Sequence, residues 1–121
     1  MNFNKLLVKQ LKLKNFQINK FSETFIVAEI SANHGGNINN IFKSIDYLKK
    51  IGANAIKIQS YEASTITLNS KDKKFYIDDN SIWKGKYLYE LYKEAQTPFS
   101  WHKKIFNYAK KKKINMFFIA F

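Results

Sequence analysis

The stretch that most restricts how this chain can fold is residues 25–37, F-I-V-A-E-I-S-A-N-H-G-G-N. A short apolar run with a glutamate at its centre runs into an Asn-His-Gly-Gly turn, and helical periodicity begins directly afterwards. Period-two geometry over the predicted strand, residues 25–31, puts Ile26, Ala28 and Ile30 on one face and Val27, Glu29 and Ser31 on the other. The two glycines tolerate backbone angles other residues avoid, and Asn37 is a good N-cap. Ile38, Ile41, Phe42, Ile45, Leu48 and Ile51 then recur at helical spacing, opposite Lys43, Asp46, Lys49 and Lys50, until Gly52 closes the helix. A second strand follows at 54–60, with Ile56 and Ile58 on one face and Lys57, Gln59 and then Tyr61 on the other. Strand, helix and strand over about thirty residues make a right-handed βαβ unit with parallel strands.

The flanks extend this pattern. Leu11, Leu13 and Phe16 alternate with polar residues, and Asn15 and Asn19-Lys20 are turn points, so a small hairpin is expected within 6–18, ahead of the main body. Residues 62–86 lack strong periodicity, and a segment that long inside a compact domain is usually a lid or binding loop. A short helix is expected at 87–95. Thr97 and Pro98 read as an N-cap and first helical position of another, running to about Lys112 and burying Phe99, Ile105, Phe106 and Ala109. Residues 114–120 complete the pattern as a third buried strand. Polar groups on one face of the first two strands favour the inner wall of a barrel over a doubly wound sheet, whose two faces should both be apolar. A whole (β/α)8 barrel takes ~250 residues. The expected fold is therefore α/β: the N-terminal portion of a TIM barrel, about three β/α units, with residues 1–24 as extension and hairpin and 25–121 as an incomplete barrel.

Composition bounds the function classes. At 121 residues, 45% hydrophobic and 17% aromatic, the chain can bury one modest core. It has no cysteine, so disulfides and thiolate metal sites are excluded. The opening residues lack a signal-peptide pattern, and no apolar run approaches the ~20 residues that span a bilayer, so a cytoplasmic protein is expected. The net charge of +12 raises nucleic acid or an anionic membrane as partners. All 21 basic residues are lysine, however, and arginine, the usual bidentate reader of phosphate and guanine, is absent. Together with the wealth of Asn, Ile, Phe and Tyr, this points to an A+T-rich coding sequence as the main source of the charge.

Glu29 and Lys57 fall on neighbouring parallel strands and the same face. Two readings stand side by side: a structural ion pair, or a lysine that meets a phosphate or carboxylate while the glutamate holds a hydroxyl or guides a proton. Gln59 adds a neutral donor and acceptor suited to a sugar. Asn33 and His34 lead into a helix N-terminus, which favours anions, although a histidine on a polar loop is also compatible with simple exposure. The other histidine, His102, sits beyond the long segment, so no metal site is expected from this chain. Trp83, Lys84 and Gly85 could close over a ligand or serve as a packing anchor.

Taken together, F-I-V-A-E-I-S-A-N-H-G-G and G-A-N-A-I-K-I-Q-S-Y resemble the first two strands of the sialic acid synthase family. The later W-K-G, L-Y-E-L-Y and T-P-F-S-W-H series resembles its pseudaminic acid branch; N-acetylneuraminate and legionaminate synthases share the strands but diverge in this loop. The resemblance covers roughly residues 14–118. It implies a TIM barrel followed by an antifreeze-like domain, in a domain-swapped homodimer. It also implies condensation of phosphoenolpyruvate with an N-acylated amino sugar, here a 2,4-diacetamido-2,4,6-trideoxy-altrose, aided by manganese or magnesium. By that resemblance Lys57 binds phosphoenolpyruvate, and Glu29, as the catalytic candidate, faces the reacting centre or the sugar together with Gln59. Asn33 and His34 line the first loop, Tyr61 shares the wall of Lys57 and Gln59, and Trp83 and Lys84 approach the sugar.

Two departures qualify this. Asn33-His34-Gly35-Gly36 stands where the family has N-H-N-G or N-H-N-Q. Phe118 is followed by Ile119-Ala120-Phe121 where the family has F-S-[ST]-P-F-D. The family's metal-binding histidines lie on later strands, so the ligands of the metal are not in this chain. The expectation is an N-terminal fragment without synthase activity alone. The alternatives are a fragment of an N-acetylneuraminate or legionaminate synthase, a remnant that pairs with a separately encoded half, or a basic nucleic-acid-binding module.

Overall fold

The structure, a computed structural model, describes residues 11–13, 16–19 and 21–121. The expected hairpin forms from β1 (Leu11–Leu13) and β2 (Phe16–Ile18), paired antiparallel. The turn expected at Asn15, Lys20 and residues 6–10 lie outside the described residues. Phe16 packs edge-on against Phe25 and shares a cavity with Asn54 and Asn115, which places the hairpin under the N-terminal ends of the main sheet.

That sheet has three strands, β3 (Val27–Ser31), β4 (Ala55–Ser60) and β5 (Asn115–Ala120), all parallel and in sequential order with β4 in the middle. Helix α1 (Ile38–Lys50) joins the first two strands. Between β4 and β5 come α2 (Ala63–Ile66), a 3-10 turn (Lys73–Phe75), α3 (Leu88–Ala95) and α4 (Phe99–Lys111). The long segment without periodicity is thus partly ordered into short helical pieces. Its second half, moreover, folds back on itself. Tyr76 pairs with Tyr87, Ile77 N–H donates to the Lys86 carbonyl at 3.0 Å, and Gly85 N–H donates to the Ile77 carbonyl at 2.8 Å. Gly85 sits at φ +90°, which explains a glycine after Trp83-Lys84.

Helix α1 starts where expected: Asn37 is extended, and its Oδ1 accepts from Asn39 N–H at 2.9 Å. Ile51 takes the C-cap and Gly52, at φ +91°, completes the stop. The core is largely isoleucine: Ile41 and Ile45 of α1, Ile56 and Ile58 of β4, and Ile105 of α4 all have relative exposures of 0–1%. Both α1 and α4 cover the same sheet face, that of Ile30, Ile56 and Ile58. Phe42 stacks on Tyr108 between the helices, while the Tyr108 hydroxyl donates to Asp46 at 2.7 Å and Lys112 pairs with Asp46. A sheet wound in one direction with its helices on one face is a singly wound arrangement, unlike a doubly wound sheet.

Several expectations need correction. Ile51 is exposed because it lies past the last full turn, off the buried stripe. Phe99 is also exposed: it is about 120° around the helix from the Trp101–Ile105–Ala109 stripe, which repeats every four residues. Pro98 rather than Thr97 occupies the cap position of α4, and Thr97 is instead buried with its Oγ1 unpartnered. The outer strands are not buried on both faces. Val27 of β3 and Phe117, Phe118 and Ile119 of β5 are exposed, since the helices cover only one face and β3 and β5 are the sheet's edges.

Candidate functional site

The open sheet face carries the polar residues. Register places Glu29 opposite Lys57, and Lys57 Nζ lies 2.6 Å from Glu29 Oε2. Both side chains keep 36% of their surface exposed, so the pair is reachable from solvent. Gln59, half-buried, lies two residues further along the same face. The ladder is irregular between Glu29 and Ser31, and Ser31 has φ +56°. This bulge turns Ser31 back on the carboxylate: its N–H and its hydroxyl donate to Glu29 Oε1 at 3.0 and 3.2 Å. One carboxylate oxygen therefore serves the lysine and the other serves Ser31. The pair can exchange its internal partner for an incoming anion on the lysine or a hydroxyl on the glutamate.

A second feature lies at the C-terminal ends of β3 and β4, where α/β proteins bind ligands. A pocket of about 1030 Å³ runs between the β3–α1 loop and the folded-back segment. Asn33, Gly35 and Gly36 form one wall; Tyr61, Trp83 and Tyr92 supply aromatic surface, and Asp79 and Ser81 supply polar groups. Tyr61 is buried edge-on against Tyr92, and burial followed by the Tyr92 hydroxyl raises its phenol above the ordinary value. Asp79 accepts from Ser81 N–H at 2.9 Å, and the bonds from Ser81 hold its carboxyl below the ordinary range. Salt bridges Lys71–Glu90 and Lys86–Glu94 tie the segment to α3.

The sequence candidates thus divide into groups. Glu29, Lys57 and Gln59 share the sheet face, and Asn33, Tyr61 and Trp83 share the pocket. Lys84 projects at the exposed tip, outside the pocket lining. His34 is 1% exposed, beneath its loop: its Nδ1 accepts from Gly36 N–H at 3.1 Å, and its ring meets Trp101 edge-on at 5.2 Å. His102 is partly buried, with Nε2 2.5 Å from the buried Ser60 Oγ and Nδ1 3.0 Å from the Phe99 carbonyl. A carbonyl only accepts, so Nδ1 carries a proton, and in the neutral ring the Ser60 hydroxyl donates to Nε2. Among the described residues no three of His, Asp and Glu converge to hold a metal. Sequence reading missed Ser31, whose role depends on a bulge without a sequence signal, and Tyr92, whose L-Y-E-L-Y setting shows helix but not which face meets the pocket.

The fold is thus a singly wound parallel α/β sheet, with a charged pair on its open face and a pocket over its strand ends. Residues 44–121 match the NeuB family, and the chain belongs to it. It is 45% identical over 107 residues to the pseudaminic acid synthase of Campylobacter jejuni, covering 88% of this chain and 30% of that protein. The Helicobacter pylori pseudaminic acid synthase is 42% identical over 92 residues, covering 76% of this chain and 27% of that protein. The crystal structure of the Leptospira borgpetersenii N-acetylneuraminic acid synthetase, in complex with citrate, superposes with a TM-score of 0.72 at 27% identity. That match covers 93% of this chain and 34% of that one. The chain therefore spans about 30% of the length of the curated relatives it matches.

Proposed function

We propose that this chain supplies the opening β/α units of a TIM-barrel synthase that condenses phosphoenolpyruvate with an N-acylated amino sugar. The observation that carries the reading is the Lys57–Glu29 pair, solvent-reachable on the open face of a parallel sheet and one residue pair short of the C-terminal end of the β3–β4 ladder. In this reading that face is the inner wall of the barrel. Lys57 leaves Glu29 to neutralise the phosphate or carboxylate of phosphoenolpyruvate. Glu29, still oriented by Ser31, then presents a carboxylate to a sugar hydroxyl or to a proton in transfer. Gln59 adds an amide that can bond a hydroxyl or acyl oxygen.

The pocket beside this wall suits the sugar: aromatic faces from Tyr61, Trp83 and Tyr92 meet its C–H groups, and Asn33, Asp79 and Ser81 offer hydrogen bonds. The identities to two pseudaminic acid synthases favour 2,4-diacetamido-2,4,6-trideoxy-altrose as acceptor over the substrates of the N-acetylneuraminate and legionaminate branches. The manganese or magnesium of the resemblance does not fit the residues described here: both histidines already hold hydrogen bonds within the chain, and no acidic group joins them. The roles assigned above involve no metal.

A direct test titrates the 15N-labelled chain with phosphoenolpyruvate. Shifts centred on Lys57, Glu29 and Ser31 that disappear in Lys57→Ala support the reading; shifts unchanged in that variant refute it. In the same reading the barrel's remaining wall comes from further β/α units, so the 121-residue chain alone forms no product. Product from this chain with phosphoenolpyruvate, sugar and manganese would overturn that part.

A further inference from the structure

His34 was a candidate for ligand contact, yet its side chain lies behind the pocket wall. Its Nδ1 accepts from Gly36 N–H at 3.1 Å, which requires a lone pair on Nδ1 and leaves the ring proton on Nε2. That Nε2 is buried without a hydrogen bond of normal geometry, and the acceptor that bears on the ring is the Ala95 carbonyl. The ring sits among groups from every neighbouring element. Trp101 of α4 lies edge-on at 5.2 Å, Asn40 of α1 donates its amide to the His34 carbonyl at 2.9 Å, and the Ala95 carbonyl ends α3. Among the described residues it has no salt-bridge partner. Burial favours the neutral ring and outweighs the Ala95 carbonyl, which favours the charged one.

We infer that His34 is a positioning residue: its neutral imidazole pins Gly36 and thereby shapes the pocket wall made by Asn33, Gly35 and Gly36. This rests on the reading above only in taking that pocket as the sugar site. Gly35 and Gly36 hold φ of +57° and +68°, a turn that the Nδ1 acceptor braces from below. A second proton would put an N–H on Nδ1 facing the Gly36 N–H at 3.1 Å, two donors with no acceptor between them. The ring is 1% exposed under Trp101, so it has no room to turn and the loop gives instead.

The test needs no ligand, so its result is independent of what the pocket binds. Imidazole 15N spectra and the Gly36 amide are followed in the 121-residue chain from about pH 8 to about pH 5, bracketing histidine titration. The expected result is the Nε2–H tautomer at neutral pH, with the Gly36 resonance moving as His34 titrates. Gly36 exchange, corrected for its intrinsic pH dependence, rises roughly five- to tenfold, the size of one lost hydrogen bond. His34→Asn supplies a side-chain oxygen two residues before the Gly36 N–H, as Asn37 already does for Asn39, and so keeps protection while removing the pH response. His34→Ala exchanges fast at every pH. An Nδ1–H tautomer, or Gly36 protection indifferent to His34 titration, overturns the inference.

Discussion

Replacing Glu29 in two ways separates what its two oxygens do. Glu29→Gln removes the charge but keeps an Oε1 for the Ser31 N–H and hydroxyl; Glu29→Ala removes both. At 2.6 Å the attraction to Lys57 is about 1.6 kcal/mol in the dielectric of water. Exposure of 36% on each side and the ordering of two flexible chains reduce the net to about 0.5–1 kcal/mol. The Ser31 bonds add about 1 kcal/mol, and their loss leaves a serine at φ +56° without support. Urea unfolding should therefore show a cost of about 0.5–1 kcal/mol for the glutamine and about 1.5–2 kcal/mol for the alanine. Repeating the series at ~1 M salt, where the Debye length is ~3 Å, should erase most of the glutamine cost and little of the difference between the variants. Equal costs for the two variants, or a glutamine cost indifferent to salt, would show that Glu29 does not act through two separate partners.

Two further outcomes follow from the same loop. A Cβ at Gly36 meets nothing within 4 Å, so Gly36→Ala should cost about 1 kcal/mol of backbone strain alone and Gly36→Asn less, by urea unfolding; a larger cost for asparagine would contradict this. Because burial lowers the His34 pKa, the unfolded chain binds the proton more readily, so stability is intact above the ordinary histidine value and falls as pH drops below it. Thermal melts at a series of pH values should show that loss in the native chain and its absence in His34→Asn.

The parts of the fold that local rules govern could be read in advance. Asn37 caps α1, Gly52 ends it, and the alternations at residues 25–31 and 54–60 place Glu29 and Lys57 on one face. These depend only on the 3.6 and 2.0 residue periods and on backbone sterics. Reading failed where neighbours decide. The apolar residues of β5 suggest a buried strand, yet all but Met116 are exposed because burial depends on what packs against a sheet. His34 reads as an exposed or ligand-lining loop residue, and Trp101, sixty-seven positions along, shuts it inside.

The βαβ order, the apolar stripe of α1, and the meeting of an acidic and a basic side chain on adjacent strands are all written in the residue pattern. The sequence also carries the motifs that mark the family. Tertiary structure alone decided that Glu29 divides its oxygens between Lys57 and Ser31, that Trp83 and Asn33 share a pocket, and that His34 serves the loop from beneath. The division has a physical cause. Periodicity and capping act within a few residues of chain, whereas a bulge, a pocket wall or a buried imidazole depends on surfaces that come together only after the sheet and its helices have packed.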